Sequence, residues 1–479
     1  MKHFLLIVSA CVLALGRALQ AADEIPVRPN ILFLFADDQR ADTIAALGNP
    51  VIKTPNLDHL VSGGLAFTRA YMQGGLNAAT CVPSRAMLLS GRSLFHSHGQ
   101  LMQDGTFDDT WPAAFGREGY TTFMTGKWHN GAASVSHSFQ LARSVFTGGM
   151  GNPMEIPVRD LAGGHLSPPR PVQKHGCEVF ADEVIRFLRE HKGGPFFAYV
   201  PFDAPHDPHI VPPDFPLHYN PANIPLPPNF LPQHPWDNGE MTIRDEKLLP
   251  WPRTPAAVKA YLAEYYRYIS YLDGQIGRIL DALAASPYAA NTIVVFSADS
   301  GVACGSHGLI GKQNLYEYDS VRVPLIMRGP GIPAGRRTEA MCYLFDVLPT
   351  LGKLCRVPTP EGSDGVEFSA TLNDPTRPAR SEMMFAYQDV QRALRDDRWK
   401  LIRYPRVNRT QLFDLATDPD ECVNLADRPE QTARVATMTA RLGTAMKHFD
   451  DPAPLFVAKP KPANWSAPSA EAESRKKPL

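Results

Sequence analysis

Several short stretches of this sequence carry residues capable of chemistry. Cys81-Val-Pro-Ser-Arg85, running on through Ala-Met-Leu-Leu-Ser-Gly-Arg92, follows a Gly/Asn/Ala-rich turn at 74–80. Proline at 83 suits a first helical turn, where its missing N–H costs nothing. The pattern predicts Cys81 at a helix N-terminus, where free N–H groups and the dipole favour an anion. Arg85, one turn on, adds a positive fork to the same face. The plainer alternative is a buried cysteine at a helix start. Asp37-Asp38 closes the apolar run Asn30–Ala36, either as a helix cap or as oxygen ligands for a hard cation such as calcium or magnesium. Gly126-Lys127-Trp128-His129 closes the strand-like Tyr120–Met124, and Asp299-Ser300-Gly301 closes Thr292–Ser297. His206 lies in Ala204-Pro205-His206-Asp207-Pro208, and Lys312 in Gly311-Lys312 ahead of Tyr316-Glu317.

The elements that must position these residues alternate. Apolar runs of strand length at 30–36, 65–68, 120–124, 196–200, 292–297 and 323–327 read as strands buried on both faces. Helical spacing predicts helices after residue 53, at 81–92, 110–119, 178–191 and, longest, 256–286, with its apolar residues three or four apart. Such alternation over the first 350 residues implies an α/β fold with a large, mostly parallel sheet flanked by helices. Ligands bind such sheets beyond the carboxyl ends of their strands. Asp37/Asp38, Lys127/His129, His206, Asp299 and the Lys312 loop all fall at one such edge. Between Pro201 and Pro255 there are 15 prolines, which forbid regular elements of any length and predict an irregular functional loop. After about residue 360, short strands at 383–387, 391–395, 399–404 and 411–414 predict a small antiparallel sheet, followed by a helix at 431–449. Residues 451–479, rich in Pro, Ala, Ser and Lys, are expected to be disordered.

Composition narrows the class. With 479 residues, 44% hydrophobic, the chain can bury a large core, and a net charge of −1 gives no reason to expect nucleic acid or a membrane surface. Residues 1–22 read as a signal peptide: Lys2, an apolar run from Phe4 to Leu15, then Gln20-Ala21-Ala22. Lipoprotein anchoring at Cys11 is disfavoured by the short apolar run before it, and no later stretch is long and apolar enough to span a bilayer. The expected product is exported, periplasmic or secreted, and soluble. Cys177, Cys304, Cys342, Cys355 and Cys422 are dispersed without metal-type spacing; a Cys342–Cys355 disulfide is conceivable, and lone structural cysteines are favoured.

The Cys-x-Pro-x-Arg…Ser-Gly-Arg stretch resembles the signature of the type I sulfatases, and the resemblance covers roughly residues 28–425. It extends to Gly126-Lys-Trp-His129, Ala204-Pro-His206, Gly311-Lys312-x-x-x-Tyr-Glu317 and Leu412-Phe-Asp-Leu…Asp418-Pro-Asp-Glu…Asn424-Leu. It implies an alkaline phosphatase-like fold with a smaller C-terminal antiparallel sheet and helix. The resulting division is a signal at 1–22, a catalytic domain at 23–360, a C-terminal subdomain at 361–450 and a tail at 451–479. It further implies that Cys81 is converted to formylglycine by a formylglycine-generating enzyme, and that Asp37, Asp38, Cys81 and Asp299 bind one calcium ion. Lys127 would contact the sulfate, His129 the formylglycine hydrate, and His206 and Lys312 the sulfate or the leaving oxygen; on chemical grounds Arg85 would join Lys127 and Lys312 in neutralising the sulfate oxygens. At 300, where the family has Asn or His as a metal ligand, this chain has serine, so Ser300 is a weaker candidate ligand. The implied activity is hydrolysis of sulfate esters, with a sulfated polysaccharide or oligosaccharide as substrate. Alternatives are a phosphonate or phosphate ester hydrolase of the same superfamily and a non-catalytic exported glycan-binding relative.

Overall fold

A computed structural model describes residues 28–97 and 109–467. The expected signal segment at 1–22, with Cys11, lies outside the described residues, as does the end of the expected tail from 468.

The core is a nine-stranded sheet. Its strands are β1 (Asn30–Ala36), β2 (Leu65–Tyr71), β3 (Thr121–Lys127), β4 (Leu141–Phe146), β5 (Phe196–Pro201), β6 (Thr292–Ala298), β7 (Arg322–Arg328), β8 (Arg336–Thr338) and β9 (Cys342–Tyr343). The spatial order is β8-β2-β7-β6-β1-β5-β3-β4, with β9 also on β2. Only β7 runs against its neighbours, so the sheet is mostly parallel. β1 and β6 are buried at every position, which is why both read as unbroken apolar runs. Strands β6, β1, β5 and β3 are adjacent and parallel, so their carboxyl ends lie side by side.

Helices cover the sheet. α1 (Cys81–Ser90) stops at Gly91, whose left-handed φ of 71° lets its N–H return to Met87 O. α2 (Gly176–Glu190) packs on α3 (Pro255–Ala284). Thr254 Oγ1 caps α3 by accepting from Ala257 N at 3.2 Å, with Pro255 in the first turn. The expected loop between β5 and α3 holds no α-helix and no strand, only 3₁₀ turns at Pro221–Asn223 and Asp245–Leu248.

The small sheet has β10 (Glu382–Tyr387), β11 (Gln391–Asp396), β12 (Trp399–Tyr404) and β13 (Arg409–Asp414), all antiparallel, with α4 (Thr432–His448) packed against it. A fifth strand, Gly74–Gly75, joins the edge of β10. Gly74 has φ +128°, and a Cβ there would lie 1.8 Å from Ala386 O, so only glycine permits this approach. The turn preceding Cys81 is thereby fastened to the small sheet.

One expectation fails, and the favoured reading of the cysteines as lone holds. Residues 451–467 run as coil, half-buried or exposed throughout, and are pinned at several points rather than disordered. Asp451 pairs with Arg392 through oxygens 2.5 and 2.9 Å away, Asp237 N donates to Ala463 O, and Trp465 meets Trp251 edge-on. Aromatic and ionic anchors thus overcome a composition that favours disorder. The conceivable Cys342–Cys355 disulfide does not form; every cysteine among the described residues is free, and both of these are buried.

Candidate active site

The carboxyl ends of β1, β3 and β6 bring Asp37/Asp38, Lys127 and Asp299 together, and α1 places Cys81 and Arg85 against them. Ser84 Oγ donates to Asp299 O at 2.6 Å and fastens α1 to the end of β6. Cys81 Sγ lies 3.3 Å from Asp37 Oδ1 and 2.9 Å from Lys312 Nζ. Each carboxylate has at least one cation, and Asp37 has a second, an Nη of Arg85 at 3.7 Å from its Oδ2. Lys127 Nζ pairs with Asp37, and Lys312 Nζ donates to Asp38 Oδ1 at 2.6 Å and Oδ2 at 2.7 Å. Arg85 lays Nε 3.0 Å and an Nη 2.9 Å from Asp299 Oδ2, and its other Nη donates to Lys127 O. Arg85, Lys127, Asp37 and Asp299 have no exposed side-chain surface. So dense a buried set of charges survives only because every charge is paired.

Burial alone would raise the Asp37 carboxyl, but Lys127, His206 and Arg85 hold it below its ordinary range. Burial and Asp37 push the Cys81 thiol well above its ordinary range. Burial, with Lys127, Arg85 and Lys312 nearby, lowers His129 to about 2, so its ring is neutral. His129 holds φ at +55°, and its Nδ1 is buried without a hydrogen-bond partner. His206 Nδ1 lies 2.8 Å from Asp207 O, which can only accept; Nδ1 therefore carries a proton, and Nε2 faces Asp38 Oδ2 at 3.6 Å.

Donor atoms of Asp37, Asp38, Cys81 and Asp299 all lie within 4.8 Å of one another. Three buried carboxylates are the donor chemistry of a hard divalent cation, so the residues fit the implied ion. Ser300 Oγ, fully buried, donates to Asp38 Oδ1 at 2.9 Å; what the structure gives Ser300 is a hydrogen bond to a candidate ligand.

All the expected residues therefore meet at one place, and a cleft of 260 Å³ opens onto them. Cys81, His129, His206 and Lys312 line it, with Ala78, Ala79, Gly149, Met150, Ile243, Arg244, Asp245 and Gln313. Sequence reasoning missed most of this second group. Asp245 Oδ2 accepts from Gln313 Nε2 at 2.8 Å, and Gln313 Nε2 also donates to Ala78 O. Gln313 stands beside Lys312, a signal that was available; nothing local marks Arg244 or Gly149. Burial opposes the Asp207 and Asp245 carboxylates, yet Arg244 and His206 hold Asp207 below the ordinary range, and Lys312, Gln313 and Arg244 do the same for Asp245.

The C-terminal motif does its work at a distance. Glu421 Oε2 accepts from Glu317 N at 2.6 Å, and Lys400 bridges Glu317 and Glu421 at 3.2 and 2.9 Å. Arg395 and Tyr71 also hold Glu317. This buried network ties the segment that follows Lys312 to the small sheet.

The family model for sulfatases matches residues 29–357, more than half of the chain, and that for the C-terminal part of N-sulphoglucosamine sulphohydrolase matches 305–448. An N-acetylglucosamine-6-O-sulfatase of Bacteroides thetaiotaomicron is 26% identical, the alignment covering 93% of this chain and 91% of that one. A ulvan-active sulfatase of Formosa agariphila is also 26% identical, over 91% of this chain and 84% of its own. Among solved structures, a protein in complex with its substrate D-glucosamine-2-N,6-O-disulfate superposes with a TM-score of 0.72 at 22% identity, covering 89% of this chain and 99% of that one. A phosphonate monoester hydrolase of Agrobacterium radiobacter gives 0.69 at 23% identity, over 88% and 96%. These two likenesses speak for the fold, whereas the match of family model and curated relatives speaks for the chemistry: this chain belongs to the type I sulfatase family and is a sulfuric ester hydrolase.

Proposed function

We propose that the protein hydrolyses sulfate esters of carbohydrates through a formylglycine made from Cys81, with calcium bound at Asp37, Asp38, Asp299 and residue 81. The observation that carries this reading is the position of Cys81, touching Asp37 and Lys312 at the floor of the cleft and ringed by three buried cations. Oxidation of Cys81 by the maturation enzyme would supply an aldehyde whose hydrate offers a nucleophilic oxygen, and a metal held by Asp37, Asp38, Asp299 and residue 81 would supply a Lewis acid. The chain's own residues do the rest. Lys127, Lys312 and Arg85 draw charge from the sulfate oxygens as the ester bond breaks. His206, its Nδ1–H held by Asp207 O, is the acid, and to donate to the leaving oxygen it must carry a second proton on Nε2. His129, whose buried Nδ1 has no hydrogen-bond partner, is placed to accept a proton from residue 81 as sulfate departs, once the charges that hold its ring neutral are offset by bound sulfate.

A carbohydrate substrate is supported by the relatives named for N-acetylglucosamine sulfate and ulvan. The same reading takes residues 1–22 as a signal that exports the chain to the periplasm or beyond. It takes 23–360 as the catalytic domain and 361–450 as its subdomain, and a formylglycine-generating enzyme as a partner during maturation. Among the described residues no helix is long and apolar enough to cross a membrane. The test compares aryl sulfate with aryl phosphate and phosphonate monoesters: sulfate turnover should dominate, and preference for phosphorus would overturn the reading.

A further inference from the structure

Lys312 reaches residue 81 from an irregular segment beyond β6, on a side chain with four rotatable carbons. Something must hold its backbone if Nζ is to stay 2.9 Å from Cys81 Sγ. The segment folds back on itself: Ala303 N donates to Gly311 O at 3.0 Å, Cys304 N to Ile310 O at 3.2 Å and Gly305 N to Leu309 O at 2.7 Å. These bonds use carbonyls and leave the N–H groups of Ile310, Gly311 and Lys312 to find acceptors elsewhere. Glu246, buried in the 3₁₀ turn Asp245–Leu248 of the irregular loop, takes two of them, Ile310 N at 3.0 Å and Gly311 N at 2.9 Å. The third, Lys312 N, donates to Gln313 Oε1 at 3.0 Å. Gln313 Nε2 in turn donates to Asp245 Oδ2 at 2.8 Å and to Ala78 O at 3.0 Å, in the turn that leads to Cys81. One amide thus ties together the Lys312 backbone, the irregular loop and the approach to residue 81.

The brace is tight. A Cβ at Gly311 would stand 2.5 Å from Gln313 Oε1 and 2.8 Å from Asp245 Cβ, so only glycine fits between the loop and its acceptors. Arg253 fixes the Glu246 carboxylate, donating to Oε2 at 2.8 Å and to Glu246 O at 2.7 Å. The geometry points to Glu246 and Gln313 as positioning residues: they set the place of Lys312 Nζ against residue 81, and they act on catalysis through Lys312. This deepens the sulfatase reading and rests on the role given there to Lys312. A buried N–H that loses its acceptor makes the backbone move or admit water. A misplacement near 1 Å at a group that meets the reacting atoms costs about 100-fold in rate.

The experiment is a double-mutant cycle on the formylglycine-bearing enzyme, reading kcat for an activated aryl sulfate and Tm for each variant. Glu246→Gln turns one acceptor oxygen into a donor facing backbone N–H groups. Gln313→Met keeps the length of the side chain and removes its amide. Each should lose roughly tenfold or more in kcat in the wild-type background. In a Lys312→Ala background, where Arg85 and Lys127 remain, each should cost less than about threefold, because the group they position is gone. Equal losses in the two backgrounds would show a merely structural role and overturn the proposal. So would a kcat within about threefold of wild type in a folded Glu246→Gln or Gln313→Met. If Glu246→Gln fails to fold, Gln313→Met decides by the same two criteria. A crippled Lys312→Ala beside unaffected brace variants overturns the brace and leaves the sulfatase reading standing. Wild-type kcat in Lys312→Ala removes Lys312 from the proposed chemistry and the brace with it.

Discussion

Gly149→Ala is a sharp test of His129, because it moves the ring without touching it chemically. A Cβ at Gly149 would stand 2.5 Å from both Cε1 and Nε2 of His129. Ordinary contact begins near 3.4 Å, so the ring or the loop must yield by about 0.9 Å. Gly149 does not have a positive φ, so alanine brings no backbone strain and the effect is purely steric. His129 has little room to retreat, being largely buried with its backbone in the left-handed region. Overpacking of this kind costs about 1–3 kcal/mol of stability. A displacement near 1 Å at a reacting group costs about 100-fold in rate. The expected result is a loss of that order in kcat for aryl sulfate, with KM little changed and only a modest fall in Tm. Gly151→Ala is the control, since its Cβ meets only Ile156 Cγ2 at 3.3 Å and lies off the His129 ring; it should keep wild-type kcat. Gly149→Ala turning over within about threefold of wild type would refute the reasoning, since a displacement of that size should cost far more.

Other outcomes follow from the same geometry. His206→Ala should cost sugar sulfates, with poor leaving groups, far more than activated aryl sulfates; equal losses would remove His206 as the acid. Chelation should abolish turnover yet leave a folded protein, because Lys127, Lys312 and Arg85 already neutralise Asp37, Asp38 and Asp299; unfolding on chelation would show that the pairing is insufficient. Ser300→Ala removes the hydroxyl that orients Asp38 and should weaken calcium binding by roughly three- to tenfold, measured by calorimetry, whereas unchanged affinity would exclude that role. At Glu317, burial raises the carboxyl but Arg395 and Lys400 outweigh it and hold it at about 2, against an ordinary 4.5. Its contribution, up to about 3 kcal/mol, is present above 4.5 and drains as pH falls toward about 2. Glu317→Gln should therefore lose less stability than wild type across that window in acid unfolding; parallel curves would contradict it.

Much of this was legible in the sequence because the strongest signals are local. The run Asn30–Ala36 is buried on both faces and reads as one strand, and α3 announces itself by thirty residues of helical spacing. The strand-end aspartates, Lys127 and His206 follow directly from where such runs stop. Strand β4 escaped notice because Arg143 and Ser144 interrupt it at an edge of the sheet, and helix Val347–Cys355 because Pro349 and Gly352 sit inside it. Gly74–Gly75 has no side chains to carry a pattern; only pairing with β10 makes it a strand. The Arg244–Asp207 ion pair could not be read at all, since the two are 37 residues apart and meet only because the irregular loop folds back.

The most direct test of the account is sulfate release from an aryl sulfate by wild type and Cys81→Ala, each made with and without a formylglycine-generating enzyme, alongside the mass of the peptide containing residue 81. Turnover should rise in proportion to the fraction of formylglycine and vanish in Cys81→Ala, while both proteins keep the same fold. Full activity in Cys81→Ala, or in wild type whose residue 81 is entirely cysteine, would contradict the account.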